Sequence, residues 1–145
     1  MRSRLSRSSE ETRRLGAELV EELLPDGALL LSGDLGSGKT VLAQGVGEGL
    51  GIPTQEVQSP TFTLIREHRG ARGSLLHVDL YRLEPEEVEA IGLEERLAGG
   101  GVKVVEWAER LPFPVPGSVV IELRRTSEEG VRELVMSRPE DEEET

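Results

Sequence analysis

Apolar positions along this chain recur with two distinct periods. Leu15, Leu19, Val20, Leu23 and Leu24 fall at helical spacing, and Ser8-x-x-Glu11 ahead of them reads as a capping box, so an amphipathic helix is predicted until "PDG" at 25–27 stops it. "ALLLS" (28–32) is a short continuous apolar run of the kind a buried strand shows, and it leads directly into a glycine-rich loop and a second helix from about Lys39 to Leu50. "IPTQEVQSP" is an exposed connection. "TFTLIREH" and "SLLHVDLYR", separated by "RGARG", predict two strands joined as a hairpin. Pro85 at a first helical position, followed by Glu86 and Glu87, opens one helix over "PEEVEAIGLEERLA", which the glycines 99 to 101 end. "VKVVEW" is a further strand, and after the proline-rich "LPFPVPG" the segments "SVVIELRR" and "VRELVMS" flank "TSEEG" as a last hairpin. Helices interleaved with a mostly buried sheet, plus antiparallel hairpins, predict a three-layer α/β domain with a mixed sheet.

Length and composition narrow the function. At 145 residues the chain is expected to be one domain over residues 1–138, followed by an acidic, disordered tail at 139–145. There is no cysteine for a disulfide framework and no apolar run long enough to span a bilayer, which fits a reducing cytoplasm. "MRSRLSRSS" is Arg- and Ser-rich like the start of an organellar presequence, but it runs within a few residues into the capped helix without a cleavage-like segment, which argues against targeting. The formal charge is -11; removing the five tail carboxylates leaves 17 minus 23, or -6, for the body. Affinity for phosphate backbones comes largely from Lys and Arg releasing counterions, so an independent nucleic-acid binder is disfavoured. Of the 17 basic residues only Lys39 and Lys103 are lysines.

Gly33-x-x-x-x-Gly38-Lys39-Thr40 meets the P-loop pattern in full, with the strand before it and the helix after it that the motif requires. Across Gly33, Asp34, Leu35, Gly36, Ser37, Gly38, Lys39 and Thr40 the glycines let consecutive amides approach phosphate oxygens, and the helix N-terminus adds its partial positive charge. Lys39 is expected to reach the β- and γ-phosphates of ATP, and the Thr40 hydroxyl to ligate Mg²⁺. Such a site also needs a carboxylate at the end of a neighbouring strand. Asp79 follows "LLHV" and Glu106 follows "VKVV", and the pattern does not rank them.

Other residues carry weaker signals. "SPTFT" places Ser59 and Thr61 in the loop after the second helix, where a γ-phosphate sensor often resides, although Pro60 could simply stiffen a strand entry. Tyr81 and Trp107 each stand beside a candidate acid; core packing is the default for both, but Trp107 borders the nucleotide if the Glu106 strand end lines the site. His68 and His77 are isolated, with no cysteine or second histidine at metal-ligand spacing, so a zinc site is not expected.

Four segments in this order, "GDLGSGKT", "SPTFTL", "HVDLYRL" and "VEWAERL", resemble the TsaE (YjeE) family of small P-loop ATPases in bacterial tRNA threonylcarbamoyladenosine synthesis, over residues from about 8 to 135. The resemblance implies a single α/β ATPase domain that works with the TsaB and TsaD proteins, supporting the turnover of their cycle rather than the transfer itself, and meets tRNA only through them. It implies Thr40 and Glu106 as Mg²⁺ ligands, Gly36 to Thr40 as the phosphate cradle, Asp79 as an acid near the metal or attacking water, and Ser59 and Thr61 on a switch-like loop. It also brings Ser9 and Gly130 close to the nucleotide. The competing readings are a small-molecule kinase, for which little chain remains to build an acceptor pocket and lid, and a nucleotide-dependent binding module without hydrolysis. No Asn-Lys-x-Asp motif favours guanine. Arg66 and Arg82 are the candidate arginine fingers in cis, failing which a partner would have to supply one.

Overall fold

A computed structural model describes residues 2–34, 36–57 and 65–138. The strands are β1 (Arg2–Ser6), β2 (Ala28–Gly33), β3 (Ile65–Arg69), β4 (Ser74–Asp79), β5 (Val102–Glu106), β6 (Val119–Arg125) and β7 (Arg132–Ser137). They form one sheet in the order β1-β7-β6-β2-β5-β4-β3. The four central strands β6, β2, β5 and β4 run parallel, and antiparallel neighbours close both sides. The helices are α1 (Ser9–Leu23), α2 (Lys39–Gly49), α3 (Pro85–Ala90) and α4 (Leu93–Leu97).

Because side chains alternate across a strand, the sheet carries two cores. Leu29, Leu31, Leu75, Val102 and Val104 pack beneath α1 and α2. Leu30, Leu76, Val78 and Val105 pack against α3, α4 and the segment holding Trp107 and Phe113. This is the expected three-layer α/β arrangement with a mixed sheet. Strand β2 is a continuous apolar run from Ala28 to Leu31, as burial on both faces demands, whereas the equally buried β5 carries Lys103 and Glu106 among its valines.

Three local expectations change. The Arg-rich N-terminus forms β1, paired antiparallel with β7 from Arg2↔Met136 to Ser6↔Arg132. It is an exposed edge strand whose arginines meet Glu18 and Glu22 of α1, and only Ser6 is buried, so its sequence carries no apolar alternation. The capping box of α1 is half formed. The Glu11 amide donates to Ser8 Oγ at 3.0 Å, but the Glu11 carboxylate accepts from the Arg7 amide rather than from that of Ser8. The single helix predicted over 85–98 is two short ones, divided at Ile91–Gly92, where Gly92 takes a left-handed φ of 70° that restarts the chain as α4.

Candidate functional site

The parallel strands β2, β4 and β5 end on one edge of the sheet, and that edge carries the chemistry. Gly33 closes β2 at φ 140°, where a Cβ would lie 2.5 Å from the Leu123 carbonyl oxygen, so this position has room only for glycine. The loop then turns through Gly36 and Gly38, both at positive φ, into α2, with Gly38 as its N-cap. Leu35 lies outside the described residues. Amides at the start of α2 thus face the mouth of a cleft of about 310 Å³ whose walls include Lys39, Thr40, Asp79, Tyr81, Glu106 and Trp107.

Lys39 is 5% exposed and its Nζ donates to the Gly33 carbonyl at 2.6 Å, the Asp34 carbonyl at 2.8 Å and Ser37 Oγ at 3.4 Å. The Trp107 ring covers it, with the ammonium 4.1 Å from the ring centroid. Burial pushes the Lys39 ammonium below the ordinary lysine value, while the carboxylates of Glu106, Glu109, Asp79 and Asp34 oppose the shift. The loop carbonyls therefore hold a buried cation that is paired internally.

Asp79 and Glu106 are register partners at the ends of β4 and β5, so both candidate acids reach the same edge. The structure separates their surroundings. The Thr40 hydroxyl donates to Glu106 Oε1 at 2.8 Å, and the buried His77 Nε2 lies 2.5 Å from Glu106 Oε2. Asp79 Oδ1 accepts the Tyr81 amide at 2.9 Å. The 2.8 Å between the Thr40 and Glu106 oxygens is close to the spacing of about 2.9 Å expected of adjacent ligands on an octahedral ion with bonds of roughly 2.0–2.1 Å. Two hard oxygens, with the rest of the shell left to water and phosphate, suit Mg²⁺. Among the described residues no group of three or more His, Asp or Glu side chains is arranged to hold a metal by itself.

Tyr81 departs from the core packing expected of it, and Trp107 keeps it in part, packing against the core under α3 and α4 while also lining the cleft. Tyr81 is 44% exposed and Trp107 half-buried, their ring centroids 4.9 Å apart at the cleft wall. Trp107 adopts φ 61°, a left-handed backbone that costs a non-glycine residue about 1–2 kcal/mol. This turn aims the indole back over Lys39 instead of onward with the strand.

Ser9 and Gly130 lie on two segments that an ion pair joins. Ser9 is the first residue of α1, and Gly130 sits in the turn between β6 and β7 at φ 82°. Arg7 pairs with Glu128 of that turn at 3.6 Å, and Arg132 beyond it donates to the Gly36 carbonyl at 3.4 Å. A Cβ on Gly36 would lie 2.7 Å from the Arg125 guanidinium. Arg125 and Arg132, register partners on β6 and β7, thus both approach Gly36, a position that sequence spacing did not reveal. Of the earlier arginine candidates, Arg66 pairs in register with His77 on β3, and Arg82 is exposed after Tyr81. Ser59 and Thr61 lie outside the described residues.

His77 is the other residue missed in sequence, where it stands alone 29 positions before Glu106. The signal that could have found it is its phase: a histidine two residues ahead of Asp79 on one buried strand face. Two larger hollows lack this convergence. One of about 420 Å³ between α1, β1 and β7 has its rim closed by Arg2–Glu22 and Arg4–Glu18 pairs. Another of about 460 Å³ lies at the opposite end of the strands beside Lys103.

Comparison with known proteins identifies the family and the fold. The family described as "Threonylcarbamoyl adenosine biosynthesis protein TsaE" matches residues 6–134. A tRNA threonylcarbamoyladenosine biosynthesis protein TsaE from Nostoc sp. (strain PCC 7120 / SAG 25.82 / UTEX 2576) is 45% identical over 128 residues, covering 86% of this chain and 78% of that protein. The protein of the same description from Treponema pallidum (strain Nichols) is 40% identical over 135 residues, covering 92% and 98%. The crystal structure of Bacillus subtilis YdiB superposes with a TM-score of 0.74 at 31% identity, covering 99% of this chain and 89% of that one. With a family match over most of its length and a P-loop flanked by two strand-end acids, the chain belongs to the TsaE family.

Proposed function

We propose that this protein is a Mg²⁺-dependent ATPase that supports threonylcarbamoyladenosine modification of tRNA in the cytoplasm by acting on a TsaB–TsaD-type complex. Membership of the TsaE family carries the coarser part, a nucleotide-binding P-loop protein that works with the machinery of threonylcarbamoyladenosine biosynthesis. The finer part rests on one observation, the Thr40 hydroxyl held 2.8 Å from Glu106 Oε1 at the mouth of the loop.

Each residue has a physical task in this reading. The amides from Gly36 to Thr40 and the N-terminus of α2 cradle the phosphates. Lys39, released from the Gly33 and Asp34 carbonyls, meets the negative charge that develops on the transferred phosphoryl group. Thr40 and Glu106 would hold Mg²⁺, which when bound supplies charge neutralisation at the β- and γ-phosphates. Asp79, on the neighbouring strand end, would orient the attacking water. Trp107 excludes solvent from the Lys39 side of the cleft and borders the nucleotide, with Ser9 and Gly130 on its far flank.

A cation on the phosphoryl group is worth roughly 10³–10⁵ in rate for such enzymes, so hydrolysis is slow alone and faster once the partner complex completes or reshapes the site. The test is phosphate release from ATP with and without a purified TsaB–TsaD heterodimer. Stimulation by the heterodimer is expected, and equal rates would overturn the coupling.

A further inference from the structure

We infer that His77 is the positioning residue of the magnesium site: it fixes the Glu106 carboxylate so that one oxygen, Oε1, faces Thr40 and the cation. This rests on the Mg²⁺-nucleotide reading above and adds a residue that neither the P-loop pattern nor the strand-end acids identify.

The placement follows from strand register. His77 is opposite Val104, so Glu106, two residues further along β5 on the same face, is its diagonal neighbour. That face is the core beneath α1 and α2, where Leu75, Val102 and Val104 are almost fully buried. His77 is 0% and Glu106 2% exposed, so each polar group there needs a partner. A carboxylate only accepts, which puts the shared proton on His77 Nε2. Among the described residues, the buried His77 Nδ1 has no hydrogen-bond partner. The imidazole's polar contact is therefore spent on Glu106, while the surrounding packing holds the ring.

The consequence is a division of labour between the two carboxylate oxygens. Oε2 is occupied by His77 and Oε1 by the Thr40 hydroxyl. Glu106 can then offer the cation one oxygen in one orientation, at the Thr40 side. Without His77 the carboxylate is free to rotate and keeps a buried oxygen unpaired, so its oxygen is no longer pre-placed. Groups that orient a metal ligand in this way are typically worth about 10–100-fold in metal affinity. A histidine present only to fill the core would affect folding and leave the metal dependence alone.

The experiment is calorimetric titration of the full chain with a non-hydrolysable ATP analogue, in EDTA and across a MgCl₂ series, for wild type, His77→Phe and His77→Gln. Affinity in EDTA should stay within about twofold in all three. The Mg²⁺ concentration giving half of the magnesium-dependent tightening should rise about 10–100-fold in His77→Phe. In His77→Gln, whose amide can donate from nearly the same place as Nε2, it should return to within a few-fold of wild type. A wild-type magnesium response in His77→Phe, or weakening of equal size in EDTA and in MgCl₂, overturns the assignment of His77 and leaves the magnesium site standing. A wild type that itself ignores Mg²⁺ overturns the magnesium reading and this inference with it. If His77→Phe fails to fold, the wild type still decides by ¹⁵N NMR. Only two histidines are present, and His68→Gln identifies the remaining signal as His77. A slowly exchanging Nε2 proton is expected, and a neutral imidazole protonated at Nδ1 overturns the inference.

Discussion

Lys39 and Lys103, the two lysines of this chain, lie at opposite ends of the same parallel strands and are buried almost equally, at 5% and 2% exposure. Burial pushes both ammonium groups below the ordinary lysine value. They differ in what answers the charge. Lys103 donates to the Asp26 carbonyl at 2.8 Å, with the Asp26 carboxylate as its opposing charge. Around Lys39 gather two carbonyls, a hydroxyl, an aromatic face and four carboxylates, beside amides that turn towards the same cleft. A buried cation is therefore not the mark of a site. The mark is convergence, and it arises where the ends of β2, β4 and β5 bring loops from different parts of the chain to one edge.

The largest expected effect separates the two lysines directly. Lys39→Ala should lower ATP turnover in the presence of the partner complex by roughly 10²–10³-fold, the usual loss when one group stabilising the transition-state charge is removed. Lys103→Met should leave turnover within about twofold. Phosphate release measured on both variants breaks the comparison if they lose activity together.

Next in size are the oxygens beside Lys39. Thr40→Ala and Glu106→Ala should each weaken the magnesium-dependent part of nucleotide binding by at least tenfold, on the scale of about 10–100-fold seen even for groups one step removed from a metal. Asp79→Ala should spare binding and lower turnover, because its carboxylate is turned to the Tyr81 amide and not to Thr40. Calorimetry with and without Mg²⁺ checks the binding of all three, and phosphate release checks the turnover of Asp79→Ala. An unaltered magnesium dependence in Glu106→Ala would transfer the metal to Asp79.

A smaller effect is optical. Trp107 is the chain's one tryptophan and stacks 4.1 Å from the Lys39 ammonium. Drawing Lys39 off the loop carbonyls onto phosphate should change the indole emission during titration with ADP. Flat emission under conditions of proven binding would remove Trp107 from the site and leave Lys39 exchange without its reporter.

The features legible in sequence were those specified locally. The P-loop is written in eight consecutive residues, and the apolar positions of "ALLLS" and "VKVVE" follow from strands that are covered on both faces. What stayed hidden depends on pairing across the sheet. Ranking Glu106 against Asp79 requires knowing that β5 lies between β2 and β4, which brings Glu106 to Thr40. The phase of His77 relative to Asp79 marks its strand face, but its link to Glu106 needs the diagonal register between β4 and β5. β1 was missed because an edge strand with four exposed positions needs no apolar alternation, and its arginines blunt the edge. The exposure of Tyr81 and the left-handed turn at Trp107 cannot be read from residue type, because core packing is the default for large aromatics.

The smallest prediction tests the other half of the lysine comparison, that Lys103 is a burden on the fold. Lys103→Met keeps the length and apolar stem of the side chain and removes the buried charge. It also leaves the Asp26 carbonyl without its donor, which offsets part of the gain. Replacing buried charges by apolar groups of similar volume is often neutral or stabilising by about 1–4 kcal/mol, and the lost hydrogen bond puts the expectation here at the low end, about 1 kcal/mol at pH 7. The pH dependence has a definite sign. Because the folded value of Lys103 lies below 10.5, the native state releases its proton first as pH rises, and the unfolded chain then holds more protons. Wild-type stability therefore recovers between the folded value and 10.5, whereas the methionine variant has no such term. The downward shift of Lys39 is common to both proteins and cancels in the difference. Urea denaturation at pH 7 and near pH 10 should thus show a methionine advantage that shrinks with rising pH. An advantage independent of pH would trace to packing rather than charge, and a methionine variant weaker than wild type at pH 7 would mean that the single bond to Asp26 outweighs the burial of the amine.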